Sequence, residues 1–321
     1  LEEVFMMYRK TILKYTLMLA VFSPLSCFSN VFAQTAPMPQ VMHVPGSPDF
    51  LAVDGSSVWV MNRGRVEHWS TEGKLAEVKL DHPCGAMAVA FGSLWVADCK
   101  AKTLNRVNLQ TAKNDIVIQT GIANPRGELN VVSGDGSIWV GSDASGKISR
   151  VDPLTNKVIA SIPVDSETYY LAFGFGALWG VSPTHNTLQK IDPQINRVVK
   201  KTVLGQNPGF LVAGEGAVWV QEQGDGTLVR ITPETGEISG RVKVDNTLTY
   251  GDIDAGGGKV WLRTTDHQTF VVVDPKTLTI RARLGTQTGS GALRYTPQGV
   301  WTTSHDIHVL AWWEKPENIG N

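Results

Sequence analysis

The chain is short of the features that most directly announce a chemistry. It holds only three cysteines in 321 residues, and neither the Cys-x-x-Cys spacing of a redox pair nor neighbouring metal ligands accompany them. It has no run of basic residues, and its formal net charge is -1, so a polyanion such as a nucleic acid is not an expected partner. No apolar stretch reaches the ~20 residues of a membrane-spanning helix. The nearest, Tyr15 to Leu25, is interrupted by Pro24, so no span is expected in the mature chain. Proline is also sparing, 16 residues against 32 glycines, a balance suited to a folded all-β protein with many tight turns.

What the sequence has in quantity is repetition. In Gly209-Phe-Leu-Val-Ala-Gly-Glu-Gly-Ala-Val-Trp-Val220, two apolar runs flank Gly214-Glu215-Gly216 and read as a tight hairpin. The second run carries a tryptophan that recurs at Trp59, Trp95, Trp139, Trp179, Trp219, Trp261 and Trp301, every 36 to 44 residues. Third-strand endings recur too, as Arg150-Val-Asp-Pro153, Lys190-Ile-Asp-Pro193, Arg230-Ile-Thr-Pro233 and Val272-Val-Asp-Pro275, with a looser Arg106-Val-Asn-Leu109. Asp or Asn caps such a turn and Pro presets φ. The expected fold is an all-β, seven-bladed β-propeller of four-stranded blades, formed as one domain because a blade cannot cover both faces of its sheet alone. The seventh copy is one strand short after Trp301, and Gln40–Val44 can supply it, closing the ring. A monomer is expected.

Residues 1–33 read as a secretory signal: Arg9, Lys10 and Lys14 precede the apolar core, and Val31-Phe-Ala33 places small residues before a cut at Gln34. Lipidation at Cys27 is the alternative, on a poor box with Pro24 where leucine is expected. The propeller then occupies residues 34–321, in the periplasm or secreted. With Phe91-Gly92 as the turn of the second copy, continuous pairing sets Cys84 opposite Cys99, and an oxidising compartment favours their disulfide.

In a propeller the loop approaching each innermost strand and the loop leaving each second strand lie on one face. The approaches bring Asp49, Arg126, Glu128, Tyr170, Tyr250, Asp252 and Arg294 to a shared funnel; the exits bring Asp98, Asp143, His185, Glu222, His267 and His305. Aromatics, both charge signs and histidines in one concavity suit a small polar molecule, a glycan or a peptide. Each has a plainer reading. Arg126 and Glu128 can simply pair across a wet pore; His305 and His308 straddle a turn with no third metal ligand specified by spacing; Glu222 or Asp252 can be general bases or ordinary carboxylates; and the seven tryptophans read as packing between blades.

The copies Gly92-Ser-Leu-Trp-Val-Ala-Asp98, Gly136-Ser-Ile-Trp-Val140 and Gly216-Ala-Val-Trp-Val220, with the Arg-Val-Asp-Pro turns, resemble the streptogramin (virginiamycin B) lyase-like propellers and related YVTN-type repeat proteins. The likeness covers nearly all of the mature chain and rests on the blade repeat. It implies a magnesium-assisted elimination that opens a cyclic depsipeptide, using a histidine just after a proline at an inner-strand approach and acidic residues at the exits. In this chain the post-proline residues are Asp49, Cys84, Arg126 and Gly209, none of them histidine, while Asp98 and Glu222 keep the acidic exit positions.

Two functional classes follow, with a third behind them. A binding propeller predicts scattered polar groups over the funnel. A lyase or hydrolase, with Mg2+ where it is lyase-like, predicts one of His185, His267 or His305 converging with Glu222 or Asp252. A purely structural interaction ring predicts its apolar patch on an edge or flat face.

Overall fold

The hairpin at the centre of each repeat is set by two residues that both take positive φ. In the computed structural model, which describes residues 38–320 except 126, 250 and 264–266, Gly214 pairs with Ala217 and the turn is Glu215-Gly216, at φ 49° and 75°. This is the two-residue turn whose twist matches that of the strands it joins. Gly214 therefore has another job than the one its place in Gly-Glu-Gly suggests. A Cβ there would stand 2.9 Å from Ala255 of the next blade, as one at Gly134 would strike Phe173 and one at Gly256 would strike Tyr295. The last residue of these inner strands lacks a side chain because the neighbouring blade fills the space. The segment read as a secretory leader, Arg126 and Tyr250 lie outside the described residues.

Seven four-stranded antiparallel sheets result, each in simple meander order except the last. There Gln40–His43 adds to Val309–Glu314, with Gln40 opposite Trp312 and His43 opposite Val309. The N-terminal strand thus completes the seventh blade, as the strand count requires. In six blades the third and fourth strands shift register at one equivalent place, for example between Arg150 and Val151 and between Lys190 and Ile191. Such bulges add local twist.

All seven repeat tryptophans are fully buried. In blades 2 to 6 the indole N–H donates to the carbonyl five residues earlier, as from Trp139 to Gly134 at 3.0 Å and from Trp219 to Gly214 at 3.0 Å. A cation of the third strand lies over the ring and reaches the next blade. Arg150 stands 4.6 Å from the Trp139 ring centre, donates to Ser137 in its own blade, and donates to Pro193 O and Asn196 in the following Asp-Pro turn. Arg106 does the same to Pro153 and Asn156, and Lys190 to Pro233. The recurring cation before the Asp-Pro pair is therefore a latch between blades. Arg150→Ala is expected to lower stability by about 1–2 kcal/mol, from the lost hydrogen bonds and cation–π contact, read as a lower urea midpoint. An unchanged midpoint would show that the turns hold the blades together without it.

Cys84 and Cys99 form a disulfide with Cα atoms 5.8 Å apart. The pairing continuous from the Phe91-Gly92 turn does not extend to them. Ala90 faces Ser93 and Ala88 faces Trp95, but a bulge then sets Cys84 opposite Ala97 and Pro83 opposite Asp98. Gly85, at φ 70°, lies in that bulge, where a Cβ would strike the backbone of Leu129. The bond crosses diagonally from Cys84 to a residue just past the end of the opposite strand.

Candidate functional site

The axis of the ring is closed by aromatics. Phe50 of the first blade and Phe210 of the fifth have ring centres 6.1 Å apart, and Tyr170 of the fourth packs on Phe210 at 4.5 Å. Rings from non-adjacent blades can meet only across the axis, so the funnel is blind. Beyond them a cavity of ≈ 270 Å³ is walled by the inner strands and contains Asp252, Asp254 and Arg294.

Several expected residues do converge at this mouth. Asp252 is buried, forms an ion pair with Arg294, and accepts the Leu293 N–H at 3.0 Å. Asp254 accepts the Tyr295 N–H at 2.8 Å, so two alternate carboxylates of blade 6 stitch the inner strand of blade 7. Burial pushes both acids above the ordinary carboxylate range, against the pull of Arg294. Asp49 is pushed up to about 6, by burial first, with His305 drawing it down and Asp252 pushing it up. Glu128 is pushed up to about 8, by burial and then by the charges of Asp49 and Asp252. Tyr170 is raised by burial and by Glu128. Asp49, Glu128, Tyr170, Asp252, Arg294 and His305 thus share one electrostatic neighbourhood.

Arg263, which the sequence reading passed over, belongs to it as well. Register places it opposite Asp252, and it is wholly buried. Its guanidinium donates to Thr269 O, Thr303 O, Gly289 O, Thr288 and Ser304. Burial lowers it to about 10, opposed by Asp252, Asp49 and Asp306. Its signal was an arginine directly following the apolar core of a strand, two residues after the repeat tryptophan, where blades 2 and 5 have Ala97 and Gln221, one residue before the acidic exits Asp98 and Glu222.

The other exit residues are engaged elsewhere. Glu222 is buried and accepts from Arg241 Nε at 3.0 Å, Arg241 Nη2 at 3.1 Å, Thr227 at 2.6 Å and Gly205 N–H at 2.7 Å. Burial alone would raise it, but Arg241 and these donors hold it below the usual range. Asp98 caps its loop through the N–H groups of Lys100 and Ala101, with His82 3.9 Å away. His185 bonds Ser182. His267 is largely exposed beside Asp245 at 3.0 Å, and His305 contacts Asp306 at 2.7 Å. Among the described residues no three His, Cys, Asp or Glu side chains are placed to hold a metal ion. The acidic exit pair does not offer the donor set that magnesium needs, since Glu222 is saturated and Asp98 serves its turn.

Beside the plug, a pocket of ≈ 460 Å³ opens between blades 3 and 4, lined by Asn124, Glu128, Glu167, Tyr169 and Tyr170 among others. Asp143 builds its walls, accepting the Ala123 N–H through its side chain and the Glu167 N–H through its carbonyl. The two tyrosine rings meet edge to face, 6.1 Å apart. Glu128 Oε2 is buried without a hydrogen-bond partner. Tyr169 and Glu167 were not singled out in the sequence, although Glu167-Thr-Tyr-Tyr170 opens the fourth copy.

No family model matches the chain, and no curated protein matches it in sequence. Among solved structures, virginiamycin B lyase from Staphylococcus aureus aligns with a TM-score of 0.72 at 17% identity, over 87% of this chain and 99% of that one. A streptogramin B lyase structure gives 0.72 at 15% identity, over 87% and 97%. Kuenenia stuttgartiensis hydrazine synthase gives 0.72 at 16%, over 85% and 97%. At these identities the likeness concerns architecture alone, and at that level the resemblance read from the repeats holds: the chain is an all-β, seven-bladed propeller.

Proposed function

We propose that this is an exported propeller that binds a small polar molecule, a glycan or a peptide over the mouth of its ring. One observation carries the reading: a pocket between blades 3 and 4 that combines two tyrosine rings with Glu128, whose buried Oε2 lacks a partner. A buried oxygen left unpaired costs free energy that a ligand's donor can recover. The blind funnel fits binding at the face better than passage through the ring. Export is supported by the apolar leader of the sequence and by the Cys84–Cys99 disulfide.

A lyase or hydrolase remains the second reading on a specific observation: His305 is the candidate histidine whose charge acts on a mouth carboxylate, Asp49. The test is a thermal-shift screen of the mature protein against oligosaccharides, peptides and small amines, with mass spectrometry of the recovered compounds. A ligand at roughly a hundredfold its Kd adds about 2.7 kcal/mol of stability. The expected result is a raised Tm with the compound recovered intact, and loss of the shift in Tyr169→Ala. Cleaved or rearranged product that disappears in His305→Ala would replace the binding reading with the enzymatic one, and no shift across the panel would end the binding reading.

A further inference from the structure

Among the described residues, the pocket between blades 3 and 4 is one-sided in charge. Its described ionisable lining groups are the acids Glu128 and Glu167 and the phenols of Tyr169 and Tyr170. The charges acting on Glu128 across the mouth are those of Asp49 in blade 1 and Asp252 in blade 6, both acids. Those acting on Tyr169 are Glu167 and Asp143. The described cations nearest the mouth carboxylates are engaged: Arg294 with Asp252, Arg263 with the carbonyls and hydroxyls of blade 7, and His305 with Asp306. The acids stand close enough to raise one another, yet among the described residues they do not converge as a metal site would require. Negative potential spread over a volume too wide for a metal ion, with two aromatic rings in its wall, suits a larger and softer positive charge.

We infer that the ligand of this pocket carries an organic cation, an ammonium group received by Glu128 and Glu167 and by the rings of Tyr169 and Tyr170. This rests on the binding reading above and names the chemical class of ligand. A cation's arrival favours the carboxylate form of Glu128, which burial and Asp49 hold protonated near neutral pH. Binding therefore releases a proton, and affinity rises as pH is raised toward about 8.

The experiment is isothermal titration of the mature protein with choline, and with its uncharged isostere 3,3-dimethylbutan-1-ol, in two buffers of different ionisation enthalpy. Choline is expected to bind with proton release, and the alcohol about tenfold or more weakly. Glu128→Gln, checked for native circular dichroism, is expected to weaken choline by about tenfold and to abolish the proton release. Tyr169→Phe, which keeps the ring, is expected to retain choline binding. Equal binding of choline and the alcohol, undiminished choline binding in Glu128→Gln, or no choline binding would each overturn the inference. If choline fails while a neutral oligosaccharide or peptide from the thermal-shift panel binds and loses its shift in Tyr169→Ala, the cation falls and the pocket stands. If nothing binds, both fall.

Discussion

Replacing Arg263 with methionine is expected to destabilise the propeller by about 3–5 kcal/mol, the cost of breaking a buried charge network from one side. The side chain is wholly buried at the exit of its strand. It ties blade 6 to blade 7 through Gly289 O, Thr303 O, Thr288 and Ser304. Methionine fills much of the volume but leaves those carbonyls without their donor, and it withdraws the positive charge that acts on Asp49 and Asp252. Arg263→Lys keeps the charge and loses the planar fork, so it should fall between the two. Urea unfolding monitored by tryptophan fluorescence measures both. A loss below about 1 kcal/mol for Arg263→Met would mean that the interface is held by packing and that the network is incidental.

The blade repeat was legible because its physics is local. A turn that needs positive φ at two positions leaves glycine in the sequence, as at Gly136 and Gly216, and an indole that closes the hairpin in blades 2 to 6 leaves a tryptophan at a fixed place. The closing strand could be counted from what the seventh copy lacked. Register was legible only as far as the ladder stayed regular. In blade 2 the bulge at Gly85 is imposed by the backbone of Leu129 in the next blade, which no pattern within the blade records, so the cysteines were paired correctly but by the wrong route.

The site was legible in outline, since topology alone sends the approach loops to one face. Which of their side chains remain available for a ligand was not. Glu222 and Asp98 look alike in the repeat, yet one is saturated by Arg241 from the outer strand of its own blade and the other caps a loop. Such partners are matters of rotamer and neighbouring sheet rather than of spacing. Tyr169 and Tyr170, adjacent in sequence, both reach the pocket because the segment before the fourth inner strand is turned by Glu167, at φ 60° and bonded to Asp143. Strand alternation would have sent the two rings to opposite sides.

Glu128→Gln should stabilise the protein at alkaline pH while weakening its ligand, and the pH dependence identifies the cause. Glu128 is raised from 4.5 to about 8 and Asp49 from 3.8 to about 6. For an acid whose folded pKa lies above its unfolded one, the native state keeps the proton longer. Its contribution to stability is full below the unfolded value and is lost as pH rises through the folded value. Glu128 therefore favours the fold below about pH 4.5 and withdraws that support by about pH 8, with Asp49 doing so earlier, through about pH 6. Glutamine does not titrate, so variant and wild type should be equally stable near pH 4 and should diverge progressively between about pH 4.5 and about pH 8. Glu128 is only half-buried and water in the mouth screens it, so the gain expected for the variant near pH 8.5 is about 2 kcal/mol, less than the full shift would give. Urea unfolding at both pH values measures it. A residue retained at a cost to stability, whose neutral isostere is firmer but binds worse, is what a ligand-receiving group looks like thermodynamically. Equal stability at both pH values would mean that Glu128 is ordinarily solvated, and would remove the reason for placing a ligand against it.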